Sequence, residues 1–341
     1  MPIKRVAVIS VKPKTGETGG AERFYQGLVE SLNNDRIKAD LVEVESDESC
    51  FDAIKKTYLR FYDLDLSSYF GVISTKAPAY LVRHSNHVCY LQHTMRVFYD
   101  MFDREFPNPG RGVLQQRELI LSLDSAALKA PRTKEIFVIG KEVQQRLLAY
   151  NALHSKVLHQ ASSLSGFYTG RFDYVFLPGR LHRWKRVDLI IKAMRYVRSP
   201  LKLLICGDGE DKKYFEDLAY DDDRITFLGK VSDQELIDFY ANALVVPFVP
   251  IHEDFGLVSL EAFLSAKPVI TCNDSGEPAN IVEDGKSGFV CTPLPEEIAQ
   301  RIDYLFNNQD LARSMGERGR TWAQSVNWEN VSSTLVKSLG G

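Results

Sequence analysis

Apolar and polar positions along the chain follow two alternating patterns. Short runs rich in valine, isoleucine and aromatic residues are separated by longer segments in which apolar side chains recur every three or four positions. The runs are typical of buried strands, and the longer segments of amphipathic helices. Strands are predicted at residues 6–10, 39–44, 69–74, 87–91 and 135–139, and at 174–177, 202–206, 225–228, 244–247, 268–271 and 288–291.

The order of these elements predicts parallel sheets. Strands alternate with segments of helical spacing, as in the apolar series Val187, Ile190 and Ile191, and a capping box at Ser232 and Glu235 marks another helix start. Strands and helices in alternation fold as α/β domains with parallel sheets. The series runs twice along 341 residues, which is too long for one core, so two domains are expected.

The segment 161–173 interrupts the pattern. It lacks periodicity, is rich in serine, glycine and tyrosine, and precedes a fresh strand, as expected of a domain boundary. We therefore expect an N-terminal domain over residues 1–165 and a C-terminal domain over 166–341, with the last helix free to cross back to the first domain. Two final helices are predicted over 312–322 and 328–339.

Composition and charge narrow the function classes. Apolar residues make up 44% of the chain and charged residues 26%, which is a globular balance. The net charge of −3 divides as +2 (21 basic against 19 acidic residues) up to residue 150 and −5 (21 against 26) afterwards. This asymmetry is too small for nucleic-acid binding, which needs a strong basic excess. It leaves the first half open to an anionic acceptor or a bilayer surface.

Neither a membrane span nor a secretory signal is visible in the pattern. The longest apolar stretch, 243–251, is far shorter than the roughly 20 residues that cross a bilayer, and the N-terminus runs directly into a core strand. A cytoplasmic location is expected, with peripheral contact at the inner face of the membrane left open. The five scattered cysteines form neither a disulfide framework nor a zinc motif and are interpreted as buried thiols.

The first candidate for ligand chemistry is the loop after the strand at 174–177. Gly179 allows a tight exit from the strand, and Arg180 and Lys185 place a guanidinium and an ammonium before the next helix. Ligands of open parallel sheets bind at the carboxyl ends of the strands, where such a pair suits a diphosphate. The alternative is two surface cations that happen to flank a loop.

The second candidate is the segment from Glu253 to Glu261. A helix starting near Phe255 or Gly256 would direct unpaired backbone N–H groups and its positive dipole end at an anion. A carboxylate beside a phosphate is repelled, so the two glutamates are expected to accept hydrogen bonds from vicinal hydroxyls, one on a ribose and one on a sugar. The alternative is a solvated helix face.

Together these segments resemble glycosyltransferase family 4, whose members are retaining enzymes with the Glu-x7-Glu signature. The resemblance implies the GT-B fold, an α/β architecture of two Rossmann-like parallel-sheet domains facing each other across a cleft. The first domain would bind the acceptor and the second the nucleotide sugar. The matching positions are Glu253, Phe255, Gly256, Leu257, Leu260, Glu261 and Ala262, together with 19–23, 179–181, Lys185, 227–231 and 267–270.

The resemblance also implies roles for single residues in donor binding. Arg180 and Lys185 would neutralise the leaving nucleotide diphosphate. Glu261 would hold the ribose hydroxyls, and Glu253 would grip the transferred sugar. The other implied donor contacts are Gly20 at the β-phosphate, the backbone amides of Phe255, Gly256, Leu257 and Val258, and the base-side loop at Gly229 and Val231.

In the first domain, the segment 91–100 resembles the family segment whose histidine reaches the donor sugar, here His93. The form is that of mannosyltransferases, but without the proline that usually follows the threonine. Asp124 corresponds to a polar residue near the acceptor. The alternative for His93 is a structural histidine at a strand end.

No metal or other cofactor is expected. The two cations and the helix start already supply positive charge at the diphosphate, so the acidic runs at 63–65 and 221–223 are interpreted as chance. His84 and His87 have no acidic partner nearby in sequence and are interpreted as solvated loop residues. The glycine turn at 207–209 does not complete a dinucleotide-binding fingerprint, and the sequence contains no P-loop motif.

The implied reaction is transfer of a hexose, from GDP-mannose or a UDP-hexose, to a hydroxyl of a glycan or lipid-linked acceptor, with retention at the anomeric carbon. Its transition state resembles an oxocarbenium ion parting from a growing anion, so positive charge at the phosphate is the main demand. Synthesis of a cell-surface polysaccharide is the expected role. A small-molecule acceptor, or a catalytically weak nucleotide-sugar-binding partner of another subunit, are the alternatives.

Overall fold

The computed structural model describes the backbone at residues 3–13 and 20–340 and the side chains at 3–12 and 23–340. Strands and helices alternate along the described chain. The strands are β1 (Lys4–Pro13), β2 (Ile37–Ser46), β3 (Gly71–Ser74), β4 (His87–Leu91), β5 (Glu135–Val138), β6 (Lys156–Val157), β7 (Tyr174–Pro178), β8 (Leu203–Cys206), β9 (Ile225–Gly229), β10 (Ala243–Pro247), β11 (Val269–Cys272) and β12 (Gly288–Cys291).

Thirteen α-helices lie in the described part of the chain, among them the one begun by the predicted capping box of Ser232 and Glu235. The helices are α1 (Gly20–Leu32), α2 (Phe51–Tyr62), α3 (Phe102–Glu105), α4 (Arg111–Leu128), α5 (Lys141–Asn151), α6 (Val187–Met194), α7 (Lys212–Leu218), α8 (Asp233–Asn242), α9 (Leu257–Leu264), α10 (Glu277–Ile281), α11 (Pro295–Asn307), α12 (Gln309–Ala323) and α13 (Trp328–Ser338).

The chain divides into two compact units. Unit 1 comprises Met1–Ser163 and Asn327–Gly341, and unit 2 comprises Leu164–Val326. The division lies two residues before the boundary expected from the sequence, and α13 belongs to unit 1. No helix among the described residues is long and apolar enough to cross a bilayer.

Unit 1 is built on a six-stranded parallel sheet in the order β2-β1-β3-β4-β5-β6. Its middle strands β3 and β4 are buried along their whole length, as expected of a parallel sheet covered on both faces. The terminal helix α13 packs against α1, where the rings of Trp328 and Phe24 lie 5.6 Å apart. Gly27 allows this approach, since a Cβ atom there would lie 2.7 Å from Trp328 Cζ2.

Unit 2 is built on a second six-stranded parallel sheet, in the order β12-β11-β10-β7-β8-β9. From β7 the chain first builds β8 and β9 on one side and then returns to place β10 on the other. The switch point of the sheet therefore lies between β7 and β10, the position at which open α/β sheets bind ligands beyond the carboxyl ends of their strands. The predicted α/β class with parallel sheets is confirmed.

Two interpretations of single residues are wrong. His87 is a fully buried residue of β4, not a solvated loop residue, and its Nε2 atom lies 2.7 Å from Ser74 Oγ. Burial lowers the pKa of His87 to about 3, so the imidazole is neutral. Cys50 is exposed before α2, whereas Cys89, Cys206, Cys272 and Cys291 are buried as expected.

Candidate functional site

Four charged side chains lie in segments that follow three strands of unit 2 around its switch point. Arg180 and Lys185 follow β7, Glu210 follows β8, and Glu253 follows β10. In a parallel sheet these strands end at the same edge. The site is thus assembled by strand order, since the residues are up to 73 positions apart in the chain.

Arg180 donates two N–H groups on one edge of its guanidinium to a single carboxylate. Its Nε atom lies 3.0 Å from Glu210 Oε2, and its Nη2 atom lies 2.7 Å from Glu210 Oε1. The arginine and glutamate side chains are 56% and 49% exposed. The fork geometry is the one with which arginine binds phosphate as well as carboxylate.

Two glycines bring the loop of Glu210 against the loop of Arg180. A Cβ atom at Gly207 would lie 2.0 Å from the carbonyl oxygen of Gly179, and one at Gly209 would lie 2.4 Å from that of Leu181. Gly207 also has a φ of +128°, which disfavours other residues. The glycine turn of 207–209 is therefore required for close packing of two loops.

Lys185 is paired with Glu253. The Nζ atom lies 2.5 Å from Glu253 Oε2, and the two side chains are 27% and 19% exposed. The ammonium also lies 5.5 Å from the centre of the Phe248 ring, within the range of a cation–π contact. The structure thus brings together a cation predicted for the diphosphate and a carboxylate predicted for the sugar.

Arg186 ties three loops of the site together. Its guanidinium donates to the carbonyl oxygens of Val249 (2.6 Å) and Pro250 (2.8 Å), in the loop after β10, and to both carboxylate oxygens of Asp274 (2.8 and 2.6 Å), after β11. The residue holds a left-handed φ of +50°, which costs a non-glycine residue of order 1 kcal/mol or more. These bonds offset that cost and fix the backbone beside Lys185.

The helix predicted to receive an anion is α9, which begins at Leu257 with Gly256 as its N-cap residue. Gly256 has a φ of +80°, and a Cβ atom there would lie 2.5 Å from Phe248 Cε1. Phe255 is buried, and Leu257 and Val258 are half-buried. First-turn N–H groups lack an intrahelical acceptor, so this turn is suited to an anionic ligand.

Glu261 lies further along α9, with its side chain nearly buried. Its Oε2 atom accepts a hydrogen bond from the Tyr240 hydroxyl at 3.0 Å. Burial and the nearby Glu261 charge raise the pKa of Tyr240 well above its usual value, so the phenol remains a donor. Tyr240 therefore orients this carboxylate.

The base-side loop begins where β9 ends. Gly229 has a φ of +68°, and its carbonyl oxygen accepts from the Gly207 N–H at 2.8 Å. Gly229 and Val231 are both partly exposed. The roles expected for Gly229 and Val231 stay predictions.

The candidates in unit 1 follow strands of its own sheet. Gly19 lies outside the described residues, and Gly20 is the first residue of α1, after β1. His93 follows β4, is partly exposed, and has its Nδ1 atom 2.9 Å from the carbonyl oxygen of Thr94. The roles expected for Gly20 and His93 stay predictions.

Asp124 lies in the core of unit 1, fully buried, so the expected acceptor contact is wrong for this structure. The hydroxyls of Tyr58 and Tyr99 donate to its two oxygens at 2.9 and 2.7 Å. Burial raises the pKa of Asp124 to about 6, although the tyrosine hydrogen bonds lower it. The carboxyl group holds elements of unit 1 together.

Among the residues that the structure describes, no three His, Cys, Asp or Glu side chains converge into a group that could hold a metal ion. Asp65 accepts from the backbone and hydroxyl of Ser67, and Asp222 pairs with Arg224 at 2.7 Å. These acidic runs thus have local structural partners.

Comparison with known proteins relates unit 2 to a family. Residues 168–322 match the family model described as glycosyl transferases group 1. Unit 2 belongs to glycosyltransferase group 1. The group 1 domain thus contains Arg180, Lys185, Glu253 and Glu261.

Curated relatives carry glycosyltransferase names. The D-inositol 3-phosphate glycosyltransferase of Corynebacterium urealyticum is 32% identical over 173 residues, covering 47% of this chain and 41% of the relative. The human α-1,3/1,6-mannosyltransferase ALG2 is 28% identical over 160 residues, covering 41% of this chain and 38% of the relative. The chain thus spans less than half the length of these relatives.

Solved structures resemble the whole chain. Sucrose-phosphate synthase from Thermosynechococcus elongatus has a TM-score of 0.74 at 17% identity, with 98% of both chains covered. Anabaena HepE in complex with UDP and glucose has a TM-score of 0.71 at 16% identity, with 99% of both covered. At such identities the likeness shows the fold alone. The chain has the two-unit, Rossmann-like GT-B fold.

Sequence reasoning missed four residues of the group 1 domain site: Glu210, Tyr240, Arg186 and Asp274. Glu210 directly follows the glycine turn at 207–209, but its pairing with Arg180 depends on loop packing. Arg186 and Asp274 are 88 positions apart, and neither stands in a motif. Their only signal was position, next to a candidate cation and just after a strand.

Proposed function

We propose that the protein is a hexosyltransferase that moves a hexose from a nucleoside diphosphate to a hydroxyl of a glycan or lipid-linked acceptor. The observation that carries this proposal is the placement of Arg180, Lys185 and the start of α9 at the switch point of a group 1 domain. Two cations and a helix N-terminus at one sheet edge are suited to a diphosphate leaving group.

The donor is held in two parts in this proposal. Arg180, Lys185 and the amides of 255–258 bind the diphosphate, and Glu261, oriented by Tyr240, accepts hydrogen bonds from the ribose hydroxyls. Glu253 accepts from the hexose while its other oxygen keeps Lys185 in place. His93 of unit 1 contacts the transferred sugar, and the Gly20 backbone approaches the β-phosphate.

The proposed chemistry retains configuration at the anomeric carbon. The bond from this carbon to the β-phosphate oxygen breaks, and the acceptor hydroxyl forms the new bond on the same face. The hydroxyl proton passes to a β-phosphate oxygen, so the products are the glycoside and a nucleoside diphosphate. Arg180 and Lys185 stabilise the growing negative charge, and no metal ion takes part.

A role in cell-surface polysaccharide synthesis has support from one relative. CapM of Staphylococcus aureus, named for capsular polysaccharide biosynthesis, is 29% identical over 179 residues. HepE has been solved with UDP-glucose, while ALG2 is named a mannosyltransferase, so the proposed donor is a UDP-hexose or GDP-mannose. We place the protein in the cytoplasm, with peripheral membrane contact through unit 1.

A small-molecule acceptor is the second candidate. The relative from Corynebacterium urealyticum is named for D-inositol 3-phosphate, which is a small polar molecule. The group 1 domain is compatible with a glycan, lipid-linked or small-molecule acceptor, because unit 1 is the proposed acceptor-binding unit.

Thermal shift with a panel of nucleotide sugars tests the proposed function first, because a ligand of the folded state raises the melting temperature. One donor class, uridine or guanosine, is expected to give the largest shift. That donor is then incubated with glycan, lipid-linked and small-molecule acceptors, and nucleoside diphosphate release is measured. Absence of a shift with every nucleotide sugar would overturn the proposal.

A further inference from the structure

The guanidinium fork of Arg180 is already filled by a carboxylate. Its Nε and Nη2 atoms donate to the two oxygens of Glu210 at 3.0 and 2.7 Å. These are parallel bonds of the kind that arginine makes with two oxygens of a phosphate. A diphosphate that uses this fork must therefore displace Glu210 or share the guanidinium with it.

Glu210 is held opposite Arg180 by backbone bonds between their two loops. The Leu181 N–H donates to Asp208 O at 2.9 Å, and the Asp211 N–H donates to Leu181 O at 3.0 Å. The Asp211 carboxylate in turn accepts from the Arg183 N–H at 2.7 Å. Glu210 consequently remains close to the Arg180 guanidinium when the hydrogen bonds between the two side chains break.

The carboxylate is ionised at neutral pH. Burial alone would raise the pKa of Glu210, but hydrogen bonds from its own backbone and from Arg180 outweigh burial and lower it. A phosphate approaching Arg180 thus meets a negative charge of its own sign. The pair presents little net charge to an incoming anion, whereas the lone arginine would present a full positive charge.

We propose that Glu210 competes with the diphosphate for the guanidinium of Arg180. By occupying this fork, Glu210 sets the affinity for the nucleoside diphosphate and the rate at which it is released. The inference rests on the proposed function and adds a residue that lowers the affinity for the nucleoside diphosphate. Both side chains are about half exposed, and exposed ion pairs are weak. The diphosphate therefore displaces the carboxylate readily, and the competition changes affinity by a modest factor.

Glu210→Gln tests this competition, because it keeps the size of the side chain and removes its charge. Asp217→Asn is the matched control: it neutralises an acid on α7 that pairs with Lys213 at 2.7 Å, with both side chains well exposed. Calorimetric titrations use UDP and GDP with the full-length wild type and each variant. We expect Glu210→Gln to bind about two- to fivefold more tightly and to release product more slowly, while Asp217→Asn matches the wild type.

The sign of the effect decides the inference. Weaker binding by Glu210→Gln would mean that the carboxylate orients Arg180 for the diphosphate, and equal binding would mean that it has no influence; either result overturns the inference. If the wild type binds neither UDP nor GDP, the proposed function fails instead.

A double-mutant cycle tests whether the gain in affinity of Glu210→Gln acts through Arg180. In an Arg180→Ala background the gain from Glu210→Gln should shrink, because the two anions no longer compete for a fork and only the repulsion between the carboxylate and the diphosphate remains. Persistence of the full gain in that background would also overturn the inference. Circular dichroism and melting curves of all variants check that the fold is retained.

Discussion

At the scale of single residues, the glutamates of the group 1 domain differ in their surroundings. Glu253 shares its charge with Lys185 at 2.5 Å, whereas Glu261 accepts from a neutral phenol at 3.0 Å. A carboxylate has about four lone-pair sites, so one that accepts from a phenol can also accept from a ligand's hydroxyls. The Glu253 carboxylate, by contrast, pairs with a cation proposed to bind the phosphate, so it lies close to the bond that breaks.

This difference predicts separable effects of two substitutions. Glu261→Ala should weaken affinity for the free nucleoside diphosphate and for the intact donor alike, since ground state and transition state share the ribose contact. Glu253→Ala should lower turnover by removing the sugar contact. Nucleoside diphosphate affinity should stay nearly unchanged, because Lys185 loses its anchor while the phosphate loses a repelling carboxylate. Calorimetry and initial rates measure the two quantities. Equal losses of nucleotide affinity in both variants would refute this division of roles.

Asp124 predicts a pH dependence of stability. Its pKa of about 6 in the folded state lies above the usual value near 4, so the folded state holds the proton more tightly than the unfolded state. The resulting stabilisation is present below about pH 4 and is lost as pH rises through 6, on the order of 2–3 kcal/mol. Melting curves between pH 4 and 7 should therefore show the wild type losing stability relative to Asp124→Asn.

The exposed Asp103 provides the control for this experiment. It lies on α3 in the same unit, and Asp103→Asn should follow the wild-type pH curve. If the curves of the wild type and Asp124→Asn run parallel over the whole range, the buried carboxyl group does not titrate as described.

At the scale of elements, α9 is positioned by one glycine. The φ of Gly256 is +80°, and the place of a Cβ atom is filled by Phe248 at 2.5 Å. Gly256→Ala should destabilise unit 2 by about 1–3 kcal/mol and weaken nucleotide binding as the first turn of α9 shifts. Denaturant unfolding and calorimetry provide the two readouts.

Gly285→Ala is the control that separates backbone strain from the steric clash of the added Cβ atom. Gly285 also has a left-handed φ, +70°, but a Cβ atom there would meet open space. This variant should lose only the backbone contribution, about 1 kcal/mol, and keep nucleotide affinity. Equal effects of the two substitutions on nucleotide binding would contradict the positioning role of Gly256.

The elements themselves were largely predictable from sequence. All eleven predicted strands are present, because runs rich in valine, isoleucine and aromatic residues mark strands of the two parallel sheets. Ser232 marked the start of α8 through its capping box. The two-residue β6 was missed since it is too short to show a period. His87 was misread because its polar ring is satisfied in the core by Ser74 and Thr133.

The site was predictable only where a motif specified it. Arg180, Lys185, Glu253 and Glu261 each stand in a motif, so they were found as candidates. Glu210 and Tyr240, which contact two of them, were not found, nor was the ion pair of Arg186 with Asp274, because such contacts depend on which strands become neighbours in the sheet. Local sequence does not encode that order.

At the scale of the whole molecule, charge at the site comes from side chains and a helix start. The absence of a metal requirement is therefore predicted: transfer should persist at its full rate in excess EDTA, because fixed cations neutralise the diphosphate. Rates with EDTA, and after adding back magnesium or manganese, check this. If EDTA abolishes activity and either ion restores it, a bound metal ion neutralises the diphosphate instead.

In the proposed function, the cations of the group 1 domain bind the diphosphate of a sugar donor. The most direct test is the transfer rate of Lys185→Ala and Arg180→Ala, with Lys213→Ala as a control, since Lys213 lies in the exposed pair with Asp217. Each site variant should retain its melting transition and lose at least about a hundredfold in rate, and the control should match the wild type. Wild-type rates in either site variant, with the fold intact, would contradict the claim.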